Sequence, residues 1–366
     1  MICPGHGCEK PRDLDIRLVS TAPNSVAVDR ASWHQDVMLS RRTIAAVTLT
    51  GAAEALWMPK AGLAQGQGSF EAFLDGVRSE ARRNGINAAT LQRAFSGLRP
   101  NDRVLELDRR QAEFTQTWPQ YRDARLSHTR IENGRRSFAE NRALLAAIGD
   151  RFRVDPTAVV AIWGLETSYG SFTDGFNVVE ALATLAWEGR RAAFFRAELL
   201  AALRIIDAGH VSVDRMRGSH AGAMGHPQFM PTSFERLAVD FDGDGRRDIW
   251  DSRADALASI ANYLSRSGWR EPAPWGFKIS MPTDLDLGGL DHRVQRPIRE
   301  WSRIGIRRAN GTPLPNLDGE WAVIVPGFSR GSTEAFLAGA NFMAIRRYNP
   351  SNFYAVAVGL LSDRVG

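Results

Sequence analysis

A single carboxylate closes an apolar stretch of the chain. Glu166 follows Val159, Val160, Ala161, Ile162, Trp163, Gly164 and Leu165, with no other charge among them. Carboxylates are rarely buried unless they are paired or catalytic. Burial also raises a carboxyl pKa toward the range that a general acid needs at neutral pH. Asp155 and Pro156 read as the N-cap and first residue of a helix that stops at Gly170. Ile162, Trp163 and Tyr169 then share a face with Glu166. Taken alone, the segment leaves open a helix-end glutamate that reaches water or pairs with an arginine.

Three further segments carry groups that could do chemistry. RGSHAGAMGHPQFMPTS (217–233) places Gly218, Gly222 and Gly225 where a backbone can approach closely, stiffened by Pro227 and Pro231. Without a preceding strand or a following Lys-Ser/Thr it is not a phosphate loop. It suits a cleft wall that presents Ser219, Met224 and Gln228 to a polar, partly apolar ligand, or else a packing turn. His220 and His226 read as incidental. DFDGDGRRDIWD (240–251) sets oxygen-bearing side chains at positions 1, 3, 5, 9 and 12 around Gly245, the spacing with which a calcium loop wraps hard oxygens around the ion. Asp240, Asp242, Asp244, Arg246 at position 7, Asp251 and Asp255 form the candidate ligand set, with Asp251 and Asp255 alternatives for the last carboxylate. A closed carboxylate cage implies a structural ion, and the alternative is a metal-free Asp/Gly turn. RRYNPSNFY (346–354) gathers Tyr348, Asn349 and Tyr354, which can stack on sugar rings and hydrogen-bond acetamido groups, or sit at a core edge.

The elements that must position these groups read as predominantly α (α+β). Helical spacing of apolar residues runs from Ser69 to about Arg153, and residues 155–270 hold further helices broken by the glycine and aspartate loops. Residues 271–335 carry seven prolines among short β-like runs, and helix returns toward the end. The expected organisation is a helical domain at 69–153, a catalytic core at 154–270, a small β-rich domain at 271–335 and a C-terminal helical segment at 336–366. Before them, paired Arg41 and Arg42, an apolar segment and a small-x-small cleavage site at Gly62-Leu63-Ala64 make residues 38–64 an expected export signal that resembles the twin-arginine type. Residues 1–37 then read as an extension upstream of the true start, Met38. The chain of 366 residues carries 46 basic and 41 acidic side chains, a net charge of +5. Only Lys10, Lys60 and Lys278 are lysines and the arginines are scattered, so no nucleic-acid footprint emerges. The two cysteines, Cys3 and Cys8, both fall in the N-terminal stretch, so no disulfide framework or cysteine metal site is expected, nor an organic cofactor.

In order and together, IWGLETSYG (162–170), GSHAGAMG (218–225), QFMPTS (228–233), the 240–251 loop, ANY (261–263), RYN (347–349) and Tyr354 resemble the membrane-bound lytic transglycosylase B family, glycoside hydrolase family 103. The resemblance covers roughly residues 69–366 and implies a lysozyme-like core with an N-terminal helical domain and a small β-rich insertion. It implies Glu166 as the single catalytic acid/base and Ser219 as the residue that orients the substrate acetamido group. It further implies Arg190, Arg191, Met224, Gln228, Tyr263, Tyr348, Asn349 and Tyr354 as glycan-site residues, and a structural calcium ion on the aspartate loop. The implied reaction cleaves the β-1,4 bond between N-acetylmuramic acid and N-acetylglucosamine without water, leaving 1,6-anhydro ends. The partner would be peptidoglycan, with no nucleic acid, met by a soluble monomer in the periplasm. A lysozyme-type hydrolase and a non-catalytic peptidoglycan-binding scaffold are the competing readings.

Overall fold

Asp155 accepts a 2.8 Å hydrogen bond from the Thr157 N–H, and Pro156 follows at the position where a missing N–H costs nothing, so the helix Pro156–Thr167 starts where the sequence predicts. Every residue from Ala158 to Leu165 is buried. A helix apolar on all sides must be wrapped, and here the wrapping comes from both sequence directions. The computed structural model describes residues 68–110, 116–173, 175–286 and 288–366; the expected export signal at 38–64 and the upstream extension at 1–37 lie outside the described residues.

Fourteen α-helices and seven short strands make up the described chain. Its buried residues form three clusters that do not follow chain order. In the first, the early helices Phe70–Arg83 and Ala88–Phe95 pack through Phe73, Leu74, Val77 and Leu91 onto Val178–Glu188 and Ala192–Asp207. Ser69 and Asn87 cap the two early helices by accepting from Ala72 N and Ala89 N. The second cluster surrounds the Glu166 helix. Trp118 and Tyr121 of Trp118–Arg125, Leu145 and Ile148 of Arg142–Phe152, Leu257 to Leu264 of Arg253–Arg266, and Ala355 to Leu361 of the C-terminal helix Asn352–Val365 all contribute. Gly359 permits the tightest of these approaches, since a Cβ there would stand 2.2 Å from the Trp275 ring.

The third cluster lies under a five-stranded antiparallel sheet, in spatial order Gln295–Pro297, Glu320–Ile324, Ala335–Ala338, Gly276–Ser280 and Arg307–Arg308. Its central strand Ala335–Ala338 is buried throughout and runs past the expected boundary at 335. Glu334, just before that strand, accepts from Trp118 Nε1, Arg122 Nη1 and Lys278 Nζ, tying the sheet to the helix Trp118–Arg125. A two-residue ladder, Phe176–Asn177 with Arg217–Gly218, leads into the Ser219 loop.

Candidate active site

Glu166 occupies the last turn of its helix, and Tyr354 Oη donates a 2.6 Å hydrogen bond to its Oε1. Burial pushes the Glu166 carboxyl up to about 7, against the opposing effects of the Tyr354 hydroxyl and the Arg125 guanidinium. Such a group is divided between acid and carboxylate at neutral pH and can both give and take a proton. Tyr354 comes from the first turn of the C-terminal helix, where Ser351 Oγ accepts from the Tyr354 N–H. Burial and the neighbouring Glu166 charge hold Tyr354 and Tyr348 well above the usual tyrosine range, which keeps both hydroxyls protonated. From the other side Arg125 stands 5.4 Å over the Tyr121 ring, which lies 5.5 Å from Phe353.

After Glu166 the chain turns sharply. Ser168, Tyr169 and Gly170 take positive φ values of 49°, 61° and 83°, and for the two non-glycine residues that conformation costs roughly 1 kcal/mol each. The Tyr169 hydroxyl holds the turn by donating to Arg130 O at 2.8 Å.

The Ser219 loop is built from its own backbone. Ser219 N donates to Ala223 O at 2.8 Å, and Ser219 Oγ accepts from Ala221 N and Ala223 N at 3.3 and 3.1 Å. With two N–H groups on its lone pairs, the hydroxyl has its one proton left to donate to a ligand. Gly218 is required here, because a Cβ would lie 2.1 Å from Ala223 O. Met224 pairs with Gly218 on one side and Phe229 on the other, which turns its side chain inward. It is 0% exposed in the first core cluster, so the expectation that Met224 faces a ligand is corrected: it packs the loop from beneath. Gln228, in a left-handed conformation with φ of 52°, donates from Nε2 to Gly225 O at 3.0 Å. Tyr348 Oη donates to Pro227 O and so bridges the loop to the C-terminal segment.

Tyr263 and Tyr348 meet ring to ring at 4.6 Å, with Phe229 within 5.8 Å of both. Asn349 ends the helix Ala340–Tyr348 and accepts from Ser351 N, setting the short link to Tyr354. These residues come together around Glu166 and the Ser219 loop. Arg190 and Arg191 are instead gathered by Asp108 of the helix Asp102–Arg110, a buried carboxylate that accepts from both guanidiniums. Asp108, Tyr121 and Arg125 escape the sequence reading, because each lies in an ordinary charged helix. The Tyr121–Arg125 spacing of one helical turn was the only available signal.

In the aspartate loop, carboxylate oxygens of Asp240, Asp242, Asp244 and Asp255 lie within 4.8 Å of one another. Asp240 accepts from Gly243 N and Gly245 N, and Asp255, 0% exposed, accepts from Phe241 N and Asp248 N at 2.7 Å. Four hard oxygen donors at this separation fit a divalent cation. Asp251 is not among them. Its carboxylate turns outward to Arg215, whereas Ser252 caps the next helix and places Asp255 under the loop. The Arg246 side chain pairs with Asp244 at 2.9 Å, which leaves only its backbone carbonyl for an ion.

Residues 69–363 match the transglycosylase SLT domain family. The chain is 30% identical over 294 residues to the membrane-bound lytic murein transglycosylase B of Escherichia coli (strain K12), covering 77% of this chain and 79% of that protein. It is similar to the crystal structure of SltB3 from Pseudomonas aeruginosa in complex with NAG-anhNAM-pentapeptide, with 45% identity, 81% of this chain and 80% of that chain covered, and a TM-score of 0.78. It is also similar to the Escherichia coli lytic transglycosylase Slt35 in complex with calcium, with 28% identity, coverage of 85% and 98%, and a TM-score of 0.68. An acid poised near neutrality on a wrapped helix, the Ser219 loop docked beside it and an aspartate loop beneath are thus found in a chain that belongs to the transglycosylase SLT domain family, as a lytic transglycosylase of the B type.

Proposed function

We propose that Glu166 alone carries both proton transfers of a non-hydrolytic cleavage of peptidoglycan, between N-acetylmuramic acid and N-acetylglucosamine. The observation that carries this is one carboxyl raised to about 7 by burial, with Tyr354 and Arg125 as the groups acting on it. As an acid, Glu166 gives its proton to the glycosidic oxygen while the C1–O bond breaks. The substrate's own acetamido oxygen supports the electron-poor C1, and the Ser219 hydroxyl donates to that acetamido group and orients it. As a carboxylate, now favoured by the Tyr354 hydrogen bond, Glu166 takes the proton from the sugar's C6 hydroxyl. O6 then bonds to C1. The proton count returns to its start, and no water enters. Ordinary glycosidases need a second carboxylate, either as nucleophile or as base for water; here an internal nucleophile and the acetamido group make it unnecessary. The ligand of the SltB3 relative carries an anhydro unit of the kind this reaction leaves.

Tyr263, Tyr348, Tyr354, Asn349 and Gln228 would form the glycan site. Arg190 and Arg191, held by Asp108, would line its wall. A structural calcium ion would be held by Asp240, Asp242, Asp244 and Asp255 with the Arg246 carbonyl. It takes no part in the chemistry but ties the loop under Ser219 to the helix Arg253–Arg266. No helix among the described residues is long and apolar enough to cross a membrane. A soluble periplasmic monomer, exported through residues 38–64, is the reading that suits a cell-wall substrate. Substitution of Glu166 by Gln, followed by analysis of peptidoglycan digests, tests the assignment: activity retained in that variant removes Glu166 from the reaction.

A further inference from the structure

We infer that His226 is a positioning residue that seats the Glu166 turn against the Ser219 loop. The inference rests on the reading of Glu166 as the acid/base. Trp163, three residues before Glu166 and 2% exposed, donates its indole N–H to His226 Nδ1 at 2.9 Å. A neutral ring that accepts at Nδ1 carries its proton on Nε2. Burial, then the Arg253 guanidinium, hold the ring below the usual histidine range, so the neutral form that can accept from Trp163 persists.

The His226 backbone makes the same connections. Its N–H donates to Ile249 O at 3.0 Å, and its carbonyl accepts from Thr167 Oγ1 at 3.3 Å. The Thr167 hydroxyl in turn accepts from Gly170 N at 3.2 Å. Gly170 lies flush against the imidazole, since a Cβ there would stand 2.3 Å from Cε1. One residue therefore touches positions 163, 167 and 170, on both sides of Glu166 along the chain. Between them Ser168 and Tyr169 hold left-handed conformations that the local sequence does not favour, so the turn depends on fixation from outside. His226 belongs to the segment that carries Ser219, so the two groups proposed to act around the same C1 share one bracket.

The test uses the full chain and a soluble glycan-strand substrate. His226→Leu keeps volume but removes the acceptor, and His226→Asn restores an acceptor near the Nδ1 position. A misplacement of about 1 Å in a proton-transfer group can cost about 100-fold in rate. His226→Leu is therefore expected to lower kcat by about 10- to 100-fold with KM changed less than about twofold, and to move the alkaline limb of the pH profile away from that of the wild type. The Trp163 indole N–H resonance, identified by its loss in Trp163→Phe, should move upfield as its hydrogen bond is lost. His226→Asn should recover most of kcat. Trp163→Phe reaches the same bond from the other partner, should show the same displaced limb, and should add no further loss in the His226→Leu background. If His226→Leu does not fold, Trp163→Phe and His226→Asn still decide the question. Wild-type kcat and an unmoved pH limb in either His226→Leu or Trp163→Phe would overturn the inference while leaving the Glu166 assignment intact. Activity retained in Glu166→Gln would remove the assignment itself.

Discussion

Replacing Glu166 by glutamine should abolish activity and, at the same time, stabilise the protein at high pH. Burial raises this carboxyl from the ordinary 4.5 to about 7. Between those values the folded protein holds a proton that the unfolded chain has released, so stability falls as pH rises through the window. The contribution is fully present below 4.5 and lost above about 7. Converted to free energy, a rise of that size corresponds to about 3 kcal/mol. Glutamine has a similar shape, can accept the Tyr354 hydrogen bond and does not ionise. The stability of Glu166→Gln relative to the wild type should therefore grow by about 3 kcal/mol between pH 4 and pH 8, which is roughly 5 °C in Tm for a chain of this size. Urea unfolding of both proteins at several pH values isolates the effect, since every other titrating group cancels in the difference. Turnover on purified peptidoglycan should fall by about 1,000-fold or more, the loss expected when general acid and general base are removed together. A stability difference that is flat across pH would refute the argument that Glu166 is ionised with difficulty in the fold.

Tyr354→Phe removes the donor that stabilises the carboxylate form, so the acid form should persist to higher pH and the alkaline limb of kcat/KM should move upward by about one pH unit; a limb that stays or moves to lower pH contradicts this role. Chelation with EDTA should lower Tm by several degrees and calcium should restore it, and Asp255→Asn should show the lower Tm without chelator; an unchanged Tm on chelation rules out the structural ion. Gly218→Ala forces a Cβ to 2.1 Å from Ala223 O and should cost about 2 kcal/mol or more with loss of turnover; wild-type stability would show that the Ser219 loop is not held as described.

Glu166 was legible because a charge at the end of an otherwise apolar helix conflicts with burial unless something answers it. The cap at Asp155 followed from local chemistry in the same way, whereas the helix ends at Thr167 and not at Gly170, because Ser168 already turns into the left-handed region. Its partner Tyr354 was not legible as such: it lies 188 residues away, and the sequence marked it only as a candidate glycan-site residue. Met224 misled because a glycine-rich loop suggests exposure. The short ladder with Gly218 and Phe229, formed within the loop itself, decides which side chain turns inward. At the aspartate loop, the spacing left Asp251 and Asp255 as alternatives for the last ligand. The Ser252 cap starts the next helix at once and hands that place to Asp255. His226 read as incidental for a related reason, since its value lies in contacts with Trp163 of the Glu166 helix and with Ile249 of the loop beyond it.

Whether the nucleophile is the sugar's own C6 hydroxyl is decided by mass spectrometry of the glycan ends that the full chain releases from purified peptidoglycan. Attack by the C6 hydroxyl should release muramyl ends lighter by one water than reducing ends, with no label incorporated when digestion is run in oxygen-18 water. Reducing muramyl ends carrying the label would contradict it.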